Sequence, residues 1–200
     1  MSVDSTGSQR SAPKLHVAPE VLLHAQGGEA GIRAAIFDVD GVLTDGKLFI
    51  SDQGETLKAF HSLDGHGLKL LARAGILPIV ITGRDSLPVR RRMADLGIVH
   101  ASYGADDKLA AAQGWFDQLG LAWDAVAAMG DDWPDLPLLE RAAFACAPAN
   151  AHIEVRARVH HVTRAEGGAG AAREFCDVLL MAAGRYAPLL AGQRPALDRT

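Results

Sequence analysis

Three short apolar runs in this chain break off in the same way. Residues 34–38 run into Asp38-Val39-Asp40-Gly41, residues 77–81 into Thr82-Gly83-Arg84, and residues 125–129 into Gly130-Asp131-Asp132. Short apolar runs that alternate with helical periodicity predict an α/β fold, with parallel strands buried on both faces by helices. The C-terminal ends of strands in such an open sheet share one edge, and ligands bind there. Asp38, Asp40, Thr82, Asp131 and Asp132, far apart in the chain, are therefore predicted to meet. Lys108, which opens a helix after a strand and a short loop, reaches the same edge.

The remaining pattern fills in around this frame. Ser51-Asp52-Gln53-Gly54 is turn chemistry between the alternating residues 46–50 and 55–61, which predicts a β-hairpin. Helices are predicted over residues 65–74, ended by Gly75, and after Asp85 or Ser86, with Pro88 in the first turn. Others are expected over 107–119, 136–142 and 171–183, with short strands at 98–102, 144–146 and 159–162, the last two at the sheet edge. Residues 164–170 form a glycine-rich loop. The expected organisation is a flexible or loosely docked extension over residues 1–30, one domain over 31–183, and a tail over 184–200.

Composition removes several classes. A 48% apolar share supports a sizeable core, and a net charge of −4 without a long basic run argues against nucleic acid. The only cysteines, Cys146 and Cys176, make neither a C-x-x-C nor a disulfide framework, which suits a reduced, cytoplasmic setting. The N-terminus lacks the apolar core of a signal peptide, and no apolar run approaches the ~20 residues that span a bilayer. The expectation is no membrane and no nucleic-acid partner.

The chemistry starts from Asp38 and Asp40. Residues i and i+2 of a strand point the same way, so two carboxylates leave the strand end together and repel unless a cation or a proton intervenes. With Asp131 or Asp132 they form a hard oxygen site suited to Mg²⁺. The eight histidines do not cluster at zinc spacing. Mg²⁺ and Lys108 can neutralise a phosphoryl group whose oxygens are held by the Thr82 hydroxyl and the Gly83 N–H. Asp38, nearest the rigid strand, fits a nucleophile forming an aspartyl-phosphate. Asp40, in the turn, fits the acid that protonates the leaving oxygen and then deprotonates water. Taken singly each residue has a mundane reading: a common D-x-D, a helix-entry threonine, a solvated lysine, a capping acid. Their ordered recurrence at strand ends is what points to a site.

Asp38-Val39-Asp40-Gly41-Val42, Thr82-Gly83-Arg84, Lys108 and Gly130-Asp131-Asp132-x-x-Asp135 resemble the four motifs of the haloacid dehalogenase superfamily of phosphohydrolases, over roughly residues 32–183. The resemblance implies a Rossmann-like fold with Asp38 as nucleophile, Asp40 as acid/base and Thr82 and Lys108 as phosphoryl binders. Mg²⁺ would be held by Asp38, the Asp40 carbonyl and Asp131, with Asp132 in support. The run Asp38 to Gly46, then Leu57-Lys58-Ala59-Phe60, Asp64-Gly65-x-Gly67 and Arg164-x-x-Gly167-Gly168-x-Gly170, is similar to one branch, the phosphatases of 3-deoxy-D-manno-octulosonate 8-phosphate. That branch implies lipopolysaccharide sugar synthesis, a cytoplasmic homotetramer, and His61, Asp64 and Gly65 beside the sugar. Leu63, where the branch commonly carries arginine, and Trp133-Pro134 depart from it.

Only residues 44–81 separate the first two motifs. A hairpin and one helix use nearly all of them, so no large cap domain fits. Neighbouring subunits are then the expected source of the missing site walls, with apolar hairpin residues Leu48, Phe49, Ile50, Leu57 and Phe60 as contact surface. Arg84, Arg92 and Lys69 bring more positive charge than a phosphate needs and predict a second anionic group on the substrate. Competing readings are a phosphatase of a nine-carbon sugar acid, disfavoured by Arg84, and a non-catalytic phospho-aspartate regulatory domain, disfavoured because its phosphorylated aspartate lies strands later.

Overall fold

A computed structural model describes residues 17–192. Among the described residues the strands are β1 (Ala34–Phe37), β2 (Phe49–Ser51), β3 (Gly54–Leu57), β4 (Leu77–Thr82), β5 (Ala101–Tyr103), β6 (Val126–Met129), β7 (Phe144–Ala147) and β8 (His161–Val162). β2 and β3 form an isolated antiparallel hairpin. The other six form one sheet in the order β5-β4-β1-β6-β7-β8, every pair parallel. The chain leaves β1 for β4 on one side and later returns to β6 on the other. That reversal opens a crevice above the C-terminal end of β1.

The helices are α1 (Pro19–His24), α2 (Ser62–Arg73), α3 (Leu87–Leu96), α4 (Lys108–Leu119), α5 (Leu136–Leu139), α6 (Ile153–Arg156), α7 (Ala171–Ala182) and α8 (Tyr186–Ala191). The period-2 alternation of the strands assigns them to two layers. Ala35, Phe37, Val80, Ala127 and Met129 face a core with Leu68, Leu71, Val89, Met93, Phe175 and Leu179 of α2, α3 and α7. Their neighbours Ala34, Ile36, Ile79, Ile81 and Ala128 face Ala112, Phe116, Leu138 and Val155 of α4, α5 and α6. Phe37 meets Phe175 edge-on at 5.4 Å. Burying each such side chain is worth about 1.5–3 kcal/mol, so the central strands are the least deformable part of the molecule.

The structure shows why the loop at residues 164–170 is rich in glycine. It packs backbone against backbone on the turn after β1: the Gly168 N–H donates to the Val42 carbonyl at 3.0 Å, and a Cβ at Gly167 would overlap the Gly41 carbonyl. Gly41 itself has φ of +89°, and a Cβ there would overlap the Asp131 carboxylate.

Several boundaries differ from expectation. α2 begins at Ser62 rather than at residue 65, because the His61 ring accepts the Leu63 N–H and caps the helix early. β7 is interior, since the two-residue β8 pairs along its outer side. Residues 1–16 and 193–200 lie outside the described residues. Within the expected extension, α1 places Val21 in the core, and within the expected tail α8 packs Tyr186 and Leu189 against it. Between β1 and β4 stand only the hairpin and α2, with no cap domain. Among the described residues no helix is long and apolar enough to cross a membrane.

Candidate active site

The strand ends do converge. Asp38, Asp40, Thr82, Gly83, Arg84, Lys108, Asp131 and Asp132 line one open cleft of about 350 Å³ above β1, β4 and β6, together with Gly46, Pro134 and Asp135. Asp38 directly follows β1, and its backbone N–H donates to the Met129 carbonyl at 3.1 Å, extending the ladder to the catalytic edge. Thr82 is the last residue of β4, buried, with its hydroxyl accepting the Arg84 N–H at 3.3 Å. Lys108 is the first residue of α4, whose start is set by the Asp107 carboxylate accepting the Ala110 N–H.

Lys108 is buried between two carboxylates, 2.8 Å from Asp38 and 2.7 Å from Asp135. Asp135 uses its other oxygen to accept the N–H groups of Asp131 (3.0 Å) and Asp132 (3.3 Å), so it fixes the acidic turn after β6. Asp38, Asp131 and Asp135 bring oxygens within 4.8 Å of one another. Burial, then the charge of Asp135, push Asp38 up to about 7 against the pull of Lys108. Burial, then Asp38 and Asp135, push Asp131 up to about 8. Burial alone would lower Lys108, but Asp38 and Asp135 outweigh it and raise it. Three carboxylates thus cluster around one ammonium, which contacts two of them. The donor set is all hard oxygen and short of positive charge, which is the fit for a divalent cation such as Mg²⁺.

The predicted substrate residues divide. Arg84 lies at the cleft, 3.9 Å from Asp40 and 3.7 Å from Glu55. His61 caps α2. Asp64 is buried and accepts the N–H groups of Gly170 (3.3 Å) and Arg173 (2.8 Å), so it caps α7 rather than lining the cleft. Gly65 gives room to the Arg92 guanidinium, which lies 5.7 Å from the Phe60 ring in a groove between the hairpin and α3. Lys69 does not face the mouth. It lies beside Leu77, Pro78 and His100 at the opposite end of β4, because α2 runs down from the catalytic edge at about 1.5 Å per residue.

The sequence reading missed three residues. Asp135 stands in the acidic motif, four residues from Asp131, where the spacing alone assigns it no role. Lys58 and Glu55 of the hairpin were missed because a charged residue in a short exposed strand reads as solvated. In the structure the Lys58 side chain is fully buried, bonded to Asp40 and 2.6 Å from Glu55. The one available signal was the lysine inside the apolar run Leu57-Lys58-Ala59-Phe60.

A buried aspartate on a strand end, an ammonium against it and an acidic turn opposite define a phosphoryl-transfer site of the haloacid dehalogenase kind, and a family model described as haloacid dehalogenase-like hydrolase matches residues 98–175. The 3-deoxy-D-manno-octulosonate 8-phosphate phosphatase KdsC of Salmonella typhimurium is 41% identical over 169 residues, covering 84% of this chain and 88% of the relative. Its counterpart from Yersinia pestis is 40% identical over 83% of this chain and 87% of the relative. The crystal structure of the Moraxella catarrhalis phosphatase of that name, in complex with magnesium, phosphate and KDO, superposes with a TM-score of 0.82 at 37% identity, covering 88% of this chain and 98% of the other. The chain belongs to the haloacid dehalogenase-like hydrolases, in the family of the 3-deoxy-D-manno-octulosonate 8-phosphate phosphatases.

Proposed function

We propose that this chain hydrolyses 3-deoxy-D-manno-octulosonate 8-phosphate to the free sugar acid and phosphate, with Mg²⁺ as cofactor, in lipopolysaccharide sugar synthesis. The observation that carries the reading is the buried Asp38 on the end of the central strand, with Lys108 at 2.8 Å, facing the Asp131 turn across an open cleft.

An oxygen of Asp38 attacks phosphorus, the bond to the sugar oxygen breaks, and Asp40 gives that oxygen its proton. Asp40 then takes a proton from water, whose oxygen attacks the aspartyl-phosphate and releases phosphate. Lys108 restrains Asp38 and, with Thr82 and the Gly83 N–H, binds the phosphoryl oxygens. Asp38, Asp131 and the Asp40 carbonyl would hold Mg²⁺, with Asp132 in support, and the ion supplies charge neutralisation for the phosphoryl group. Arg84 provides the second positive charge for a substrate carboxylate. Its 46% exposure leaves it free to turn from Asp40 to a ligand.

The same reading takes residues 31–183 as the catalytic unit of a cytoplasmic homo-oligomer, a tetramer, with neighbouring subunits supplying the missing walls of the site. Leu48, Phe49, Ile50 and Leu57 of the hairpin are 44–64% exposed, which supports a partner surface there. An active monomer in sedimentation would remove this part. The whole reading is tested by phosphate release from a panel of eight- and nine-carbon sugar acid phosphates, with and without chelator, on wild type and Asp38→Asn. Preference for the eight-carbon substrate, lost with chelator and in the variant, is expected. Preference for a nine-carbon substrate would move the assignment to the alternative branch.

A further inference from the structure

The hairpin carries a second buried lysine that the mechanism above does not use. Lys58 follows β3, and its side chain is fully buried. Its ammonium bonds to Oδ1 of Asp40 and lies 2.6 Å from Oε1 of Glu55. The second oxygen of Asp40, Oδ2, is buried and has no hydrogen-bond partner among the described residues, the Arg84 Nε standing off at 3.9 Å. The two oxygens of this carboxylate are therefore unequal. One is tied to a cation delivered by the hairpin, and the other, on a residue that lines the cleft, is unpartnered and closed from solvent beside the half-exposed Arg84 side chain, so a ligand that draws Arg84 away uncovers it. Lys58 itself lines the groove on the far side, between hairpin and α3, rather than the cleft, so its contact with the site runs through Asp40.

We propose that Lys58 is a positioning residue for proton transfer: it clamps Oδ1 of Asp40 so that Oδ2 is the oxygen that exchanges a proton with the leaving group, and Glu55 in turn holds Lys58. The proposal rests on Asp40 being the acid of the reaction. Three physical points support it. A carboxylate on a glycine turn has free χ rotation unless one oxygen is fixed, and proton transfer needs a defined donor within hydrogen-bond reach of the ester oxygen. A fully buried ammonium is costly unless paired, so burying one against Asp40 and Glu55 implies a requirement beyond surface charge. The clamp also joins the flap to the acid: β3 cannot swing away without releasing Asp40.

The test uses the full-length protein with Mg²⁺ and compares kcat/KM, which reports all steps up to loss of the leaving group. The substrates are 4-nitrophenyl phosphate, whose leaving group departs without a proton, and benzyl phosphate, whose leaving oxygen needs one. Lys58→Met is expected to cost benzyl phosphate on the order of 10²-fold, the usual worth of general acid catalysis. It should cost 4-nitrophenyl phosphate only a few-fold, and Lys58→Arg should restore part of the benzyl rate. The double variant Glu55→Gln/Lys58→Met removes both buried charges of the clamp, so it should fold where the single variant does not, and should show the same selective loss. Equal losses on both substrates, in whichever of the two folds, or no loss on either, overturn the proposal. Asp38→Asn and Asp40→Asn in parallel separate the two levels: if Asp40→Asn shows no leaving-group dependence while Asp38→Asn is inactive, the role of Asp40 itself falls, and the clamp with it.

Discussion

Two buried lysines sit on either side of the D-x-D turn, each between two carboxylates, and they serve different ends. Lys108 belongs to the rigid layer, at the start of α4, and joins Asp38 to Asp135. Lys58 belongs to the small hairpin and joins Asp40 to Glu55. Around Lys108 a third acid, Asp131, leaves the cluster short of positive charge. Around Lys58 a second cation, Arg84, stands within 4 Å of both acids and brings the cluster to balance. A deficit in a buried site invites a metal ion, whereas a balanced cluster has no room for one and can only hold its members in place. The contrast supports the different duties proposed for Asp38 and Asp40.

The largest expected effect falls on the cluster in deficit. Lys108→Met removes the one cation that pairs with Asp38 and Asp135, and removing one partner of a buried pair costs about 3–5 kcal/mol in metal-free protein. Urea melts check this, and added Mg²⁺ should recover part of the loss. A cost equal to that of Lys58→Met would erase the distinction.

Next in size is the metal itself. Mg²⁺ at about 100 times its dissociation constant should stabilise the wild-type fold by roughly 2.7 kcal/mol, read as a rise in melting temperature. Asp131→Asn should abolish that rise, and Lys58→Met should leave it intact. A rise that survives in Asp131→Asn would move the ion elsewhere.

The balanced cluster should respond less. Lys58→Met is expected to cost about 1–3 kcal/mol, because Asp40 is 19% exposed and water and Arg84 take over part of the charge. A loss larger than that of Lys108→Met would make the hairpin, not the strand end, the stability-determining site.

The smallest effect lies outside both clusters and calibrates them. His160 is held below its ordinary value by burial and then by His24, and its Nδ1 accepts the Ala145 N–H at 2.9 Å, which requires the neutral ring. A base whose folded value is depressed contributes stability above about pH 6.5, lost as pH falls through the folded value. Melts between pH 7.5 and 5 should show a small loss that His160→Asn reduces, in the presence of saturating Mg²⁺. A loss unchanged in that variant would place the acid sensitivity in another group.

Much of the site was readable before the fold was known, for a local reason. Asp38, Thr82 and Asp131 each end a short apolar run, and parallel strands put such ends on one edge whatever the loops do. Asp64 and Lys69 misled because their duty depends on where α2 starts and which way it runs. One capping bond at His61 set the start, and the descent of the helix carried Lys69 to the opposite edge.

The burial of Lys58, which lies in the branch-like run Leu57-Lys58-Ala59-Phe60, was hidden for a different reason. A single lysine in a hairpin strand is solvated by default, and only the closure of β3 over Asp40 takes it out of water. The sequence by itself determined the parallel sheet, the edge where chemistry gathers and the acids that gather there, since these follow from period-2 burial and strand polarity. Only the tertiary structure decided which carboxylates share a cation, because burial and charge balance depend on contacts between residues distant in the chain.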